Sequence, residues 1–140
     1  MKIYQLSDFS IGHLNTCDSR LQRIVRIVAS KYDVRVLCGR RTWEEQAILL
    51  QQGKTKVGPG DSKHNPPTQG DIDWLSLAVD IVPYPIDWKD SKRFVYLAGL
   101  MMATGWSMGI ELRWGGNWDR DEVIIDDQSF DDLPHFEIWQ

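Results

Sequence analysis

The chain has 140 residues, 42% of them hydrophobic and 26% charged, a balance expected of one soluble domain with enough apolar residues for a core without disulfide staples. Its formal net charge of −4 argues against nucleic acid as the main partner, because phosphate binding needs a basic face, and gives no general attraction to anionic membranes. No apolar run is long enough to span a bilayer.

In chain order, Met1 to Asp8 lacks the apolar stretch of a signal peptide, so the expectation is a chain kept in the cytoplasm until something releases it. Cys17 and Cys38 are then expected to be reduced, buried or half-buried thiols. A helix is predicted over Ser19–Lys31, with Leu21, Ile24, Val25 and Val28 on one face. Val34–Cys38 reads as a strand, rich in β-branched residues and closed by Gly39. Thr42 with Glu45 forms a capping box for a second helix that should stop at Gly53.

From Lys54 to about Leu75 the chain reads as loop, with three glycines and three prolines. Lys54, Lys56 and Lys63 gather positive charge there, which a solvated lysine-rich loop explains more simply than a binding patch. Leu77–Pro83 reads as a strand. A third helix is predicted from Asp90 or Ser91 to about Thr104, burying Phe94, Leu97, Leu100 and Met101, and Ile110–Trp114 and His135–Trp139 are short strand candidates. Without regular βαβ alternation, the class predicted is α+β: a small, mostly antiparallel sheet with about three helices in a single domain, 1–140.

Asp80 sits within the apolar run Ala78-Val79-Asp80-Ile81-Val82, where a carboxylate is costly unless paired or bound to a cation. The alternative is strand alternation that turns Asp80 to solvent while Val79 and Ile81 face inward. His64, in Ser62-Lys63-His64-Asn65, and His135, in Asp132-Leu133-Pro134-His135-Phe136, each read alone as surface or hydrogen-bonded core histidines. Together, two imidazoles and a carboxylate make the open three-ligand set of a catalytic zinc, with a fourth position for water. Asp132, three residues before His135, is placed to act as a base on that water, with Asp131 its rival. Nothing around His13 marks a ligand. The acidic stretch from Asp119 to Asp132 lacks the glycine and closing glutamate of an EF-hand loop and reads as solvated. Of seven tryptophans, Trp114 and Trp118 flank two glycines and can either wall a cleft, touching substrate, or pack in the core.

Ser62-x-His64, Ala78-Val79-Asp80 and Asp132-x-x-His135-Phe136-Glu137 occur in the order found in the zinc D,D-peptidase/L-alanyl-D-glutamate peptidase family, the group with the Hedgehog-like peptidase fold. The chain resembles the small peptidoglycan-cleaving phage members over nearly its whole length. Further similar segments are Leu14-x-Thr16-Cys17, Gly39-x-Arg41-Thr42-x-x-Glu45-Gln46, Pro83-Tyr84-Pro85 and Leu112-Arg113-Trp114-Gly115-Gly116. The resemblance implies His64, Asp80 and His135 as ligands of Zn2+, Asp132 as general base, Arg41 facing the active site and Ser62 touching substrate. Two departures stand out. Asp18-Ser19 replaces a frequent His-Pro, and sixteen positions separate His64 from Asp80, an insertion at roughly Pro66 to Leu75 that is expected to form a lip on the cleft. The insertion also supplies Asp71 and Asp73 as rival ligands.

The activity implied is that of a phage endolysin hydrolysing the L-alanyl–D-glutamate bond of the peptidoglycan stem peptide. D-alanyl–D-alanine carboxypeptidase action on the same centre, or a catalytically silent zinc-stabilised binding domain, are the alternatives. The expected protein is a monomer without a wall-binding module, stored in the host cytoplasm until a holin opens the membrane.

Overall fold

The computed structural model describes residues 2–140. Helix α1 spans Asp8–Leu14 and α2 Ser19–Lys31, followed by strand β1 over Val34–Cys38 and helix α3 over Trp43–Gln51. Strand β2 covers Ala78–Pro83, α4 Ser91–Ser107, β3 Leu112–Gly115 and β4 Asp132–Ile138. The class is α+β as expected, with four helices among the described residues rather than about three. The additional one, α1, starts where Ser7 accepts a hydrogen bond from the Ser10 amide. Ser10, fully buried, accepts in turn from the Val36 amide at 3.0 Å and so seats α1 on β1.

Local chemistry explains the starts of α2 and α3. Asp18 caps α2, its carboxylate accepting from the Arg20 amide at 2.9 Å and from the Arg20 guanidinium at 2.9 and 3.1 Å. Both halves of the Thr42/Glu45 capping box form at α3. On α4 the buried residues are Phe94, Leu97, Ala98, Met101 and Gly105, while Leu100, expected on that face, is only half-buried.

The strands form one antiparallel sheet in the order β1-β2-β4-β3. Strand alternation gives it two unlike faces. Val79, Ile81, Leu112, Trp114, Phe136 and Ile138 join one apolar cluster with Leu21, Ile24 and Val25 of α2 and Leu97, Ala98 and Met101 of α4. Each large side chain wholly buried there contributes roughly 1.5–3 kcal/mol. The opposite face carries Asp80, Arg113, His135 and Glu137, and the segment between α3 and β2 covers it. Asp80 therefore points away from the core, as alternation requires, yet its side chain is only 17% exposed. That covering segment is tied at its middle to both flanks: the Leu77 amide donates to the Lys63 carbonyl at 3.1 Å, and the Arg41 amide to that of His64 at 2.8 Å.

Candidate metal centre

The sheet register brings distant residues onto one rung. Asp80 pairs with His135 across β2 and β4, and with Cys38 across β2 and β1. His64 descends on this rung from the covering segment. His64 Nε2 lies 3.1 Å from Asp80 Oδ1, His135 Nδ1 lies 3.3 Å from the same oxygen, and the two nitrogens are 3.3 Å apart.

The far side of each ring is fixed. His64 Nδ1 sits 2.7 Å from the Gly39 carbonyl, and His135 Nε2 sits 2.8 Å from a Glu137 carboxylate oxygen. A carbonyl and a carboxylate only accept, so both far nitrogens carry the proton and the facing nitrogens present lone pairs. Glu137, whose side chain is 5% exposed, also receives Arg113 Nη2 at 3.0 Å. Burial opposes its ionisation, but His135 and Arg113 together hold its carboxyl below the ordinary range.

Two lone pairs and a carboxylate oxygen meeting in a buried triangle demand a cation. Burial disfavours the charged rings, yet the Asp80 carboxylate outweighs it and raises the pKa of both His64 and His135, with Glu137 adding to the effect at His135. Asp80 is held far below the usual carboxylate range, the two imidazoles overcoming its burial. Ligand atoms of a tetrahedral zinc with bonds of about 2.0–2.1 Å lie about 3.3–3.4 Å apart. The triangle of His64, Asp80 and His135 fits that spacing.

Asp132, at the start of β4, places Oδ2 4.0 Å from His135 Nδ1 and clusters with Asp80 and His135. Burial, then the Asp80 charge, raises its pKa. Gly115 pairs with Asp132 at a bulge, and a Cβ there would run into the Asp132 carbonyl, so glycine permits this approach. Arg41 Nη2 lies 3.6 Å from Asp80 Oδ2, and Nη1 donates to Gln46 Oε1 at 2.9 Å. Ser62 Oγ accepts from the His64 amide at 3.2 Å and faces the same cleft.

His64, Asp80, His135, Asp132, Arg41 and Ser62 line a cleft of about 590 Å³. Trp114 does not reach it. Its ring stacks on Phe136 on the core face, 4% exposed, and its indole donates to the Leu133 carbonyl. Trp118 lines the cleft instead, 5.4 Å from the His135 ring. The insertion makes no lip there: the Pro66 carbonyl accepts from Trp43 Nε1, and Gln69 donates to Glu44, holding the segment against the start of α3. Asp71 and Asp73 are exposed and Asp71 accepts from the Asp73 amide, so neither competes as a ligand. Asp131 turns to Gln128.

The family model for phage L-alanyl-D-glutamate peptidases matches residues 2–139. The chain belongs to that family. It is 31% identical over 112 residues to the L-alanyl-D-glutamate peptidase of Escherichia phage T5, a stretch covering 76% of this chain and 75% of the relative. In fold it is similar to the L-Ala D-Glu endopeptidase ChiX of Serratia marcescens, with a TM-score of 0.72 at 20% identity over 96% of this chain and 90% of that one.

The sequence reading of this peptidase overlooked Glu137 and Gln46, although both stand inside the segments that carry the resemblance. It also passed over Cys38, which joins His64 and Asp80 within 4.8 Å and accepts a hydrogen bond from Arg41. Its signal was the strand itself: Cys38 ends β1 one rung beside Asp80. Elsewhere Asp119, Asp121 and Asp127 gather on an exposed loop.

Proposed function

We propose that the chain is a zinc-dependent endopeptidase that hydrolyses the L-alanyl–D-glutamate bond of the peptidoglycan stem peptide. Family membership supports the reaction. The buried triangle of His64 Nε2, Asp80 Oδ1 and His135 Nδ1, with sides of 3.1, 3.3 and 3.3 Å, is the observation that carries the metal dependence.

A zinc ion held by these three residues would supply Lewis acidity, activating water near neutral pH and polarising the scissile carbonyl. The chain's own residues do the rest. Asp132, beside the ligands and open to the cleft, takes the proton of the attacking water and passes it to the departing glutamate nitrogen. Arg41 steadies Asp80 through the oxygen that the imidazoles leave free, and its remaining N–H groups face the negative charge growing on the carbonyl oxygen. Gln46 fixes the guanidinium for that purpose. Gly39 and Glu137 keep both rings in the tautomer that directs a lone pair at the metal. A centre kept only for stability would need neither Asp132 nor Arg41 at its edge.

Among the described residues no helix is long and apolar enough to cross a membrane. We further propose a single-domain monomer that waits in the host cytoplasm and meets the wall once a holin opens the membrane; membership of a phage peptidase family supports the cell wall as its target.

The test is digestion of purified peptidoglycan by the zinc-loaded chain, with fragments identified by mass spectrometry beside an Asp132→Ala control. New L-alanine C-termini and D-glutamate N-termini, absent from the control, are expected. Release of terminal D-alanine alone would make it a carboxypeptidase, and no release would favour a binding domain.

A further inference from the structure

The lysine-rich loop closes one side of the cleft. Lys54, Lys56 and Lys63 line it together with Ser62 and the donor residues. The cations deeper inside are already matched: Arg41 by Asp80 and Gln46, Arg113 by Glu137. None of the three lysine ammonium groups joins an ion pair among the described residues. Lys56 rests over the Phe130 ring at 5.6 Å, which also faces the cleft, and leaves its charge unneutralised. Asp61, exposed on the same rim, and Asp132 beside the donor residues offset at most two of the three, so an excess of positive charge remains. In a chain of net charge −4 this is a local reversal of sign beside the proposed zinc.

The substrate explains what such a rim can hold, an argument that rests on the proposed cleavage. Glutamate has two carboxyl groups, and a peptide chain leaves through only one. The other remains ionised at neutral pH, on the residue whose nitrogen is released. A stem peptide with that group free therefore brings a fixed anion within a few bonds of the scissile amide. We propose that Lys54, Lys56 and Lys63 form the subsite for this free glutamate carboxylate. The chain then selects stem peptides in which that group is ionised over those in which it is capped as a carboxamide. A carboxamide matches the carboxylate in size but offers no charge to an ammonium group. Because the lysines are exposed, their effect is moderate and reaches full strength only when substrate displaces water from the rim.

The experiment compares two synthetic L-alanyl-D-glutamyl stem peptides, one with the free carboxylate and one with the carboxamide, using the zinc-loaded full chain. Steady-state kinetics are measured for the natural sequence, for the combined Lys54→Gln, Lys56→Gln, Lys63→Gln variant, and for the corresponding triple arginine variant. The natural chain and the arginine variant should favour the acid by about tenfold in kcat/KM, chiefly through KM. In the glutamine variant the ratio should fall to within about twofold while turnover of the carboxamide and the melting temperature stay as they were. Equal use of both peptides by the natural chain would overturn the subsite, as would a preference that survives in the glutamine variant. Cleavage of neither peptide would instead remove the proposed hydrolysis, and the subsite with it.

Discussion

Replacing Glu137 with glutamine isolates the contribution of one buried charge to the metal centre. The wild-type carboxylate lies 2.8 Å from His135 Nε2 and 3.0 Å from Arg113 Nη2, with its side chain 5% exposed. Glutamine keeps the shape and an acceptor for the ring N–H. It removes the charge that makes the opposite ring nitrogen a stronger donor, and it leaves Arg113 without a counter-ion. Partners of this kind are worth about 10–100-fold in metal affinity, or about 1.4–2.7 kcal/mol. The zinc dissociation constant should rise by that factor in competition against a chromophoric chelator. The metal-free variant should also melt earlier, because Arg113 loses its charged acceptor, a loss of roughly 1–3 kcal/mol in unfolding free energy. A folded variant that binds zinc within about twofold of wild type would refute the assignment of His135 as a ligand tuned by Glu137.

Asp132→Ala should keep zinc bound, as read by the same titration, and lower kcat by at least about 100-fold, the scale of a lost general base. Gly115→Ala should cost about 1–3 kcal/mol by thermal unfolding, because the added methyl collides with the Asp132 backbone, and activity at a permissive temperature should fall as Asp132 shifts. Asp18→Ala should destabilise by about 1 kcal/mol near neutral pH through loss of the α2 cap. Arg20 holds the Asp18 carboxyl below its unfolded value of about 3.9. The contribution is therefore present above that value and fades as pH falls through the lower folded one, so urea midpoints of the two proteins should converge in acid. Burial pushes the Cys17 thiol up to about 12, and iodoacetamide at pH 8 should label it only after unfolding, as peptide mass spectrometry would report.

What the sequence disclosed depended on how local the cause was. Helix α2 and strand β1 carry their own periodicity, and Thr42 with Glu45 announces α3, so their bounds match expectation. Helix α1 has seven residues and buries only Ser10 and Leu14, too little for a periodic signal. The start of β4 was hidden by Pro134, which normally argues against a central strand. Here it costs no ladder bond: pairing with β2 begins at His135, and pairing with β3 is interrupted between Trp114 and Gly115. Alternation correctly turned Asp80 off the core but cannot reveal that another segment covers that face. The same parity separates Trp114 from the cleft, whereas Trp118, beyond the strand, is free to reach it. The roles of Glu137 and Gln46 exist only through tertiary partners, which no spacing encodes.

With zinc held as proposed, the pairing of Asp80 with His135 on one rung would make ion capture a check on strand alignment. A slip of one residue in either strand would present Val79 or Phe136 where an oxygen or nitrogen belongs, and the remaining donors would grip a metal poorly. A misaligned chain would thus forgo the free energy of binding, while the native alignment alone collects it. Zinc supplied during refolding should on this logic act as a proofreader, enriching molecules whose central strands are in register before any substrate arrives.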